Sequence, residues 1–444
     1  MRIPTRTQKQ NEGAALSPAT PSRLHHLTFH PPKLGSGFRA LHNRNYRLFW
    51  TAQLVSQSGS WMQTTAQAWL VLKLTGSALS LGTVTMLQFL PITLLSLYGG
   101  VLADRLPKRT ALIFTQGAAM IQAVIFGALV ALDVIQLWHI YILAIIQGLI
   151  SAVDNPTRQA FVVEMVGRED VLNAVALNSS SFNAARILGP SLAGVIIDQI
   201  GIAPTLVLNA VSFVPVLVAL ARMDAREFHL AAPPLPGSAA QRVKEGVSYA
   251  WHHPAILSIL IVVTFVGTFG YNFSLWLPLL AEFVLHTNAA GFGTLGSFLG
   301  VGSLVSAVGM AYMGRVTMWR LLSGAGAFCL VLAALALSKV FLLSGGLLVV
   351  LGLAGFMFAT SSNTLLQLLS PDTLRGRIMS VYILLFVGST PIGGFFIGAL
   401  SDWIGVQVAL MVCAALSMIG VILAFVYYRR HQADQVPDIV GSSG

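Results

Sequence analysis

One acid and three bases crowd a single stretch of this chain. Gly100-Val-Leu102-Ala103-Asp104-Arg105-Leu-Pro107-Lys108-Arg109 joins two apolar runs. A carboxylate so placed can sit against the positive N-terminus of another helix, and the run opening near Ser380 is the candidate. Such a contact would latch one side of a helical protein. Gly99 and Gly100 would let helices approach closely, while Arg105 and Arg109 orient Asp104 and reach lipid phosphate. An ordinary basic loop is the plainer alternative. Arg186 is the one charge deep inside an apolar run. A cation there is expensive and points to function. It shares a helix face with Ser179, Asn183 and Pro190. It could attract an anionic ligand, answer a proton-carrying carboxylate, or bond backbone carbonyls or water.

Two further faces carry chemistry. Gln53, Gln57, Ser60, Thr64 and Gln67 fall on a narrow stripe of one helix. Lipid solvates amides poorly, so the stripe should line a wet cavity or bind another helix. Phe265, Phe269, Asn272 and Trp276 share a second face, with Tyr271 beside them. That wall suits an amphipathic ligand and suits lipid equally. Between them in sequence lie Gly189 and Pro190, followed by Gly194. Pro190 removes a backbone donor and bends its helix. The small residues permit close packing, with Gly296 and Gly300 as partners.

Other chemistries have no residues to perform them. No Gly-Lys dipeptide occurs, so no phosphate-cradling loop exists. The histidines lie in tails, loops or run ends, and no metal spacing or catalytic constellation appears. Cys329 and Cys413 both sit in apolar runs and read as buried free thiols. We therefore expect no enzyme, no metal and no cofactor.

The elements that must hold these residues are membrane helices. The chain has 444 residues, 55% hydrophobic and only 9% charged, with mean hydropathy +0.75. Soluble domains carry about 25% charged residues. At about 20 residues per span, the apolar stock fills about twelve helices. An outer-membrane barrel would alternate apolar and polar residues instead. Spans are expected at 47–73, 79–102, 110–132, 137–153, 171–198, 204–222, 255–277, 291–313, 320–337, 341–363, 380–403 and 406–428. The net charge of +10 reads as topology and not as a nucleic-acid surface. All Lys and Arg except Lys73, Lys339 and Arg186 fall on one side of these spans. The positive-inside rule then puts both termini in the cytoplasm.

The chain repeats itself. Gly194, Asp198, Ile200 and Gly201 match Gly398, Asp402, Ile404 and Gly405 at an offset of 204. Asn155 and Gln159 match Asn363 and Gln367, and Gly99 and Arg105 match Gly309 and Arg315. The second copy of the basic loop, Gly314 to Arg320, has lost the acid. Two related six-span halves place a binding site at their interface near the midplane.

These residues resemble a known family. The Gly100–Arg109 stretch is similar to the signature loop of the major facilitator superfamily, with Pro107 where a glycine is usual. Gly189-Pro190 with Gly194 is similar to part of the antiporter motif of its exporters. Closer resemblance, over about residues 38 to 428, is to the branch of the enterobactin exporter and macrolide-efflux permeases. Asn43–Trp50, Ala68–Ser77, Asn155–Ala160, Asn173–Asn178 and Pro371–Arg377 carry it. The resemblance implies proton-coupled export of siderophores or drugs. Two proton-handling positions of such exporters are neutral here, Ala144 and Ser60, and no carboxylate is placed in the membrane.

The expected fold is all-α and polytopic: twelve transmembrane helices in two pseudo-symmetric six-helix bundles. A disordered cytoplasmic tail (1–37), not a signal peptide, precedes the first bundle (38–222). A cytoplasmic linker (223–254), the second bundle (255–428) and a tail (429–444) follow. The expected function is secondary export of a small amphipathic molecule across the bacterial inner membrane by alternating access. Asp104, Arg105, Arg109 and Gly100 form the inner gate. Gln53, Gln57, Ser60, Gln67, Asn183, Arg186 and Asn272 line the cavity, and Gly189, Pro190 and Gly194 bend their helix. Expected partners are a small-molecule substrate, protons and lipid, with no nucleic acid, and the protein is a monomer. A membrane sensor or scaffold, suggested by the long tail, and a proton-symport uptake permease are the alternatives.

Overall fold

The computed structural model describes residues 36–229, 239–313, 316–371 and 373–433, and over 96–105 the helix but not its side chains. Fourteen α-helices run in order among these residues, with no strand: α1 (Arg44–Thr75), α2 (Ala78–Arg105), α3 (Lys108–Ala131), α4 (Leu137–Ile200), α5 (Ile202–Arg222), α6 (Ala239–Trp251) and α7 (Pro254–Phe265). The second group is α8 (Phe273–Phe283), α9 (Ala289–Met313), α10 (Met318–Leu337), α11 (Phe341–Leu369), α12 (Arg375–Phe386), α13 (Thr390–Ile404) and α14 (Val406–Ala433). Of the expected tail (1–37), residues 1–35 lie outside the described residues.

The helices start and stop for local reasons. Asn43 caps α1 by accepting the Tyr46 N–H at 2.9 Å. Gly201 and Gly405 end α4 and α13 at φ 97° and 85°, a region other residues avoid. These are matching positions of the repeat, so the two halves turn in the same way.

Four spans differ from the sequence expectation. The runs at 137–153 and 171–198 lie on the two limbs of α4, 137–166 and 168–200, which meet at a non-helical break at Gly167 (φ 71°). The stretch left between those runs, 154–170, is helical except at Gly167. The seventh span is α7 and α8 joined by a π-helical segment, Val266–Gly270. The eleventh is α12 and α13, broken at 387–389. Where α8 begins, the Trp276 indole donates to the Gly270 carbonyl at 3.0 Å and satisfies one group freed by the break.

Ten of these helices or helix pairs are long and apolar enough to cross a membrane. Two further long helical segments fall outside that count: α1, and the limb of α4 after Gly167. Their polar residues lower their hydropathy, which is the same feature that makes them interesting. The face on which α1 begins is called the termini face. The turns at Gly76, Gly201 and Gly405 mark the far face.

The halves meet through two equivalent pairings, α4 with α9 and α2 with α13. Both rest on small residues. A β-carbon on Gly194 would lie 2.5 Å from the Ala289 carbonyl oxygen, and one on Gly82 would lie 2.7 Å from that of Gly394. Backbones this close gain dispersion contacts that larger side chains would prevent. Gly296 packs against Pro190 and Gly300 against Ile187. The amphipathic α6 docks by an ion pair between Glu245 and Arg377. Two of the stretches quoted above clamp each other on the termini side. The Tyr46 hydroxyl donates to the Ala174 carbonyl at 2.9 Å and the Trp50 indole to Leu177 at 3.0 Å.

Candidate functional site

A two-lobed cavity lies between the bundles. The polar lobe, about 420 Å³, is built mainly from α1, α2, α3 and α4. The aromatic lobe, about 310 Å³, spans both halves. Trp61, Thr64, Phe89, Phe182, Ser274 and Val387 line both, so the lobes are continuous.

The stripe on α1 builds the polar lobe. Gln53, Gln57, Ser60 and Gln67 all line it. Gln67 donates to the Gln88 amide at 3.2 Å, tying α1 to α2. The Ser60 hydroxyl returns to the Ser56 carbonyl at 3.0 Å. Gln63, one step off the stripe, faces the bundle core. It donates to Gln122 at 3.1 Å and accepts from Asn209 at 2.7 Å, joining α1, α3 and α5. The α1 amides therefore divide into cavity lining and interhelical bonding.

Sequence reasoning missed the ionic centre of this lobe. Asp154 and Arg158 lie on α4, both line the polar lobe, and form an ion pair one turn apart. Asp154 is only 4% exposed. It accepts from the Thr115 hydroxyl at 2.7 Å and from Gln116 Nε2 at 2.8 Å. The expectation that the membrane holds no carboxylate is thus corrected. Pro156 and the charges suggested a loop, but α4 runs through them. One signal was available: Gln147, Ser151, Asp154 and Arg158 recur at helical spacing and continue one face.

Arg186 lines the aromatic lobe, half-buried, with no hydrogen bond or ion pair among the described residues. Aromatic rings face it from both halves. Trp61 and Phe182 meet edge to face at 5.8 Å, and Tyr271 stands 5.1 Å from Phe386 and 4.5 Å from Phe273. Of the expected aromatic wall, Asn272 lines this lobe, with its amide donating to the Thr268 carbonyl at 2.7 Å. Phe265, Phe269 and Trp276 do not line it. Asn183 lines neither lobe and donates to the Ser179 carbonyl at 2.8 Å.

The remaining expected residues divide. The side chains of Gly100, Asp104 and Arg105 lie outside the described residues. Arg109 is committed elsewhere: its guanidinium donates to the carbonyls of Leu220 and Ala221 at 2.7 and 2.9 Å. It neutralises the negative end of α5. Gly189 packs against Trp61 and Ser58 of α1, and Pro190 lines the aromatic lobe within the limb of α4 after Gly167.

The described polar contacts between halves lie level with the cavity or beyond it toward the far face. Thr93 donates to the Gly388 carbonyl at 3.3 Å, and Ser191 meets Ser297. Lys73 pairs with Glu282 at 3.3 Å, and Trp69 stacks on Phe292 at 5.9 Å. Asp198 accepts from Asn288, and Asp402 from Ser77 and Ala78. Among the described residues no group of His, Cys, Asp and Glu is arranged to hold a metal ion.

Comparison with known proteins adds to this geometry. A family model described as a transmembrane secretion effector matches residues 35–439. The staphyloferrin A transporter of Staphylococcus aureus is 24% identical over 392 residues, covering 86% of this chain and 96% of that protein. The multidrug efflux pump Tap of Mycolicibacterium fortuitum is 25% identical, covering 84% and 93%. The enterobactin exporter EntS of Citrobacter koseri is 26% identical, covering 81% and 82%. The fold matches a crystal structure of a bacterial homologue of the lysosomal transporter Spinster, inward-facing and unoccupied, at a TM-score of 0.67 and 13% identity, covering 92% of this chain and 100% of that one. It also matches an inward-facing bacterial homologue of ferroportin at 0.63 and 17%, covering 87% and 98%.

Proposed function

This chain belongs to the transmembrane secretion effector family of the major facilitator superfamily, and from that membership and its cavity we propose that it exports a small amphipathic molecule, siderophore-like or drug-like, across the bacterial inner membrane by proton-driven alternating access. It is a multi-pass membrane transporter of small molecules, not an enzyme.

One observation carries the finer reading. The cavity joins an amide-rich polar lobe to an aromatic lobe holding an unpaired, half-buried arginine. A ligand with aromatic surface and an anionic group fits the second lobe. Rings give it stacking area, and Arg186 gives a charge whose donors are unsatisfied. A hydroxyl-rich or amide-rich end fits the first. The far-face contacts leave the termini face as the open side of the cavity. With the termini in the cytoplasm, as the basic residues suggest, that is the side from which an exporter loads and an uptake permease unloads. Export is the direction supported by relatives named as an enterobactin exporter and a multidrug efflux pump. The two bundles, 38–222 and 255–428, rock about the cavity, with Asp104 and Arg105 at the termini-face gate and the 223–254 linker tethering them. The working unit is a monomer.

Uptake into inverted membrane vesicles tests this reading. With an imposed pH gradient, vesicles containing the protein should accumulate one or more compounds from a panel of catecholates and macrolides. Collapse of the gradient should abolish accumulation. Equal uptake by vesicles lacking the protein across the whole panel would refute export of these classes.

A further inference from the structure

Asp154 is a buried carboxylate on the wall of a cavity, and its surroundings are unbalanced. Arg158 alone offsets its charge, while Thr115 and Gln116 each donate one hydrogen bond. Around the pair, the amide oxygens of Gln53, Gln57 and Gln116 are buried without a donor, and Arg158 Nε is buried without an acceptor. Gln53 and Gln116 are each only 3% exposed. Burying an ionised group is costly unless it is paired. The lobe therefore holds an ion pair at its centre and spare acceptors around it.

No other described charge reaches this pair from the packed helices. α1 carries none between Arg47 and Lys73, α2 none from Ala78 to Leu95, and α5 none before Arg222. On α3, Lys108 is paired with Glu164 at 3.2 Å and Arg109 holds the end of α5. From the second half, Glu282 and Asp402 belong to far-face contacts. Arg186 is the cation of the neighbouring lobe.

We propose that Asp154 is the group that takes up and releases the coupling proton in this cavity, a role that rests on the transporter reading above. The step is simple protonation: a proton adds to the carboxylate and gives the neutral acid. The neutral acid no longer attracts Arg158. The guanidinium then turns to the donor-less amide oxygens of Gln53 and Gln57. When the proton leaves, Arg158 returns to Asp154 and those oxygens are free again. Hydroxyl or ammonium donors of a cargo that enters the deprotonated lobe bond to Asp154 and to the buried glutamine oxygens that have no donor in the unloaded protein. The protonated lobe offers fewer acceptors. Proton and donor-bearing cargo thus compete at one carboxylate, which is the condition for exchange.

Infrared difference spectroscopy of the full chain in lipid vesicles tests this without cargo or gradient. Acidification protonates every accessible carboxylate, so the band that counts is the reversible protonated-carboxyl component that appears in the difference between wild type and Asp154→Asn. That band should be absent in Asp154→Asn, persist in Asp198→Asn and Asp402→Asn, and return shifted in Asp154→Glu. Asp154→Asn leaves Arg158 unpaired, so Asp154→Asn/Arg158→Gln, which removes both charges, must lose the band as well. Survival of that band in the double variant overturns the proposal, as does a wild type that shows no such difference from Asp154→Asn. A chain that shows the band but accumulates nothing in vesicles refutes the export reading and leaves the proton site standing. A chain that accumulates cargo yet lacks the band refutes the proton site alone.

Discussion

Asp402 closes over the start of α2. Its Oδ1 accepts the Ala78 N–H at 2.7 Å and its Oδ2 the Ser77 hydroxyl at 2.7 Å. Asp402 belongs to the second half and Ala78 to the first. Asp198, 204 residues earlier in the matching position, meets the other pairing: Asn288 Nδ2 donates to it at 2.8 Å, and Asn288 Oδ1 accepts the Gly291 N–H at 2.9 Å near the start of α9. Each half therefore ends a helix in a carboxylate that meets the beginning of a helix in the other. The unpaired N–H groups and dipole of a helix N-terminus favour such an acid.

Losing this cap should loosen the far face. Asp402→Ala removes two hydrogen bonds and should cost the closed arrangement about 1 kcal/mol. Asp198→Ala should cost less, because it touches a capping side chain and not the helix backbone. Spin labels at Leu74 and His286, both exposed near the far face, report this. The native thiols Cys329 and Cys413 are buried and should not compete for label. A longer, broader distance distribution in Asp402→Ala than in Asp198→Ala is expected.

Arg186 should sort cargo by charge. It has no protein partner to lose, so Arg186→Gln should leave thermal stability within about 0.5 kcal/mol of the wild type. Uptake of an anionic catecholate should fall at least tenfold, while a neutral or cationic macrolide is spared. Arg186→Lys should recover part of the loss. Equal loss for both cargo classes would remove Arg186 from selectivity.

Gly194 should tolerate no β-branched side chain. Gly194→Val would force a β-carbon to 2.5 Å from the Ala289 carbonyl. Overpacking of this kind costs about 1–3 kcal/mol. The cost falls on the arrangement in which α4 and α9 touch. The variant should melt earlier or show a longer Leu74–His286 distance, and Gly194→Ala should show the same trend more weakly.

Gln63 should matter for stability and not for selectivity. Gln63→Leu leaves Gln122 Oε1 and Asn209 Nδ2 without their bonds. A loss of roughly 1 kcal/mol is expected, since interhelical bonds in membranes are worth about that. Relative uptake rates across a cargo panel should stay unchanged. A changed ranking of cargoes would place Gln63 on the cavity wall.

The architecture was legible because membrane helices write themselves as apolar runs, and because the Gly194–Gly201 and Gly398–Gly405 stretches repeat. The α1 stripe was legible for a related reason: five polar residues on one face of an apolar helix need a wet or bonded surface. Asp154 and Arg158 were not. Pro156 and adjacent charges look like the end of a span, and the chain only turns at Gly167, eleven residues on. The breaks at Val266–Gly270 and 387–389 left no mark in hydropathy, because a π segment and a short turn are as apolar as the helices they interrupt. Arg109 was read as a loop cation; its fate depended on where the end of α5 falls, which hydropathy does not set. Asn183 shares a face with Arg186 by spacing, yet a neighbouring carbonyl one turn back takes its amide.

The central claim is that the two bundles rock about the cavity, closing one face as the other opens. Two label pairs measured by pulsed electron resonance in the same vesicles test it: Leu74–His286 at the far face, and Ser180–Val308 toward the termini face, all exposed positions. In the Asp198→Ala/Asp402→Ala protein the far-face distance should lengthen and the termini-side distance shorten. If both distances stay fixed, or both lengthen together, the bundles do not exchange access and the account is wrong.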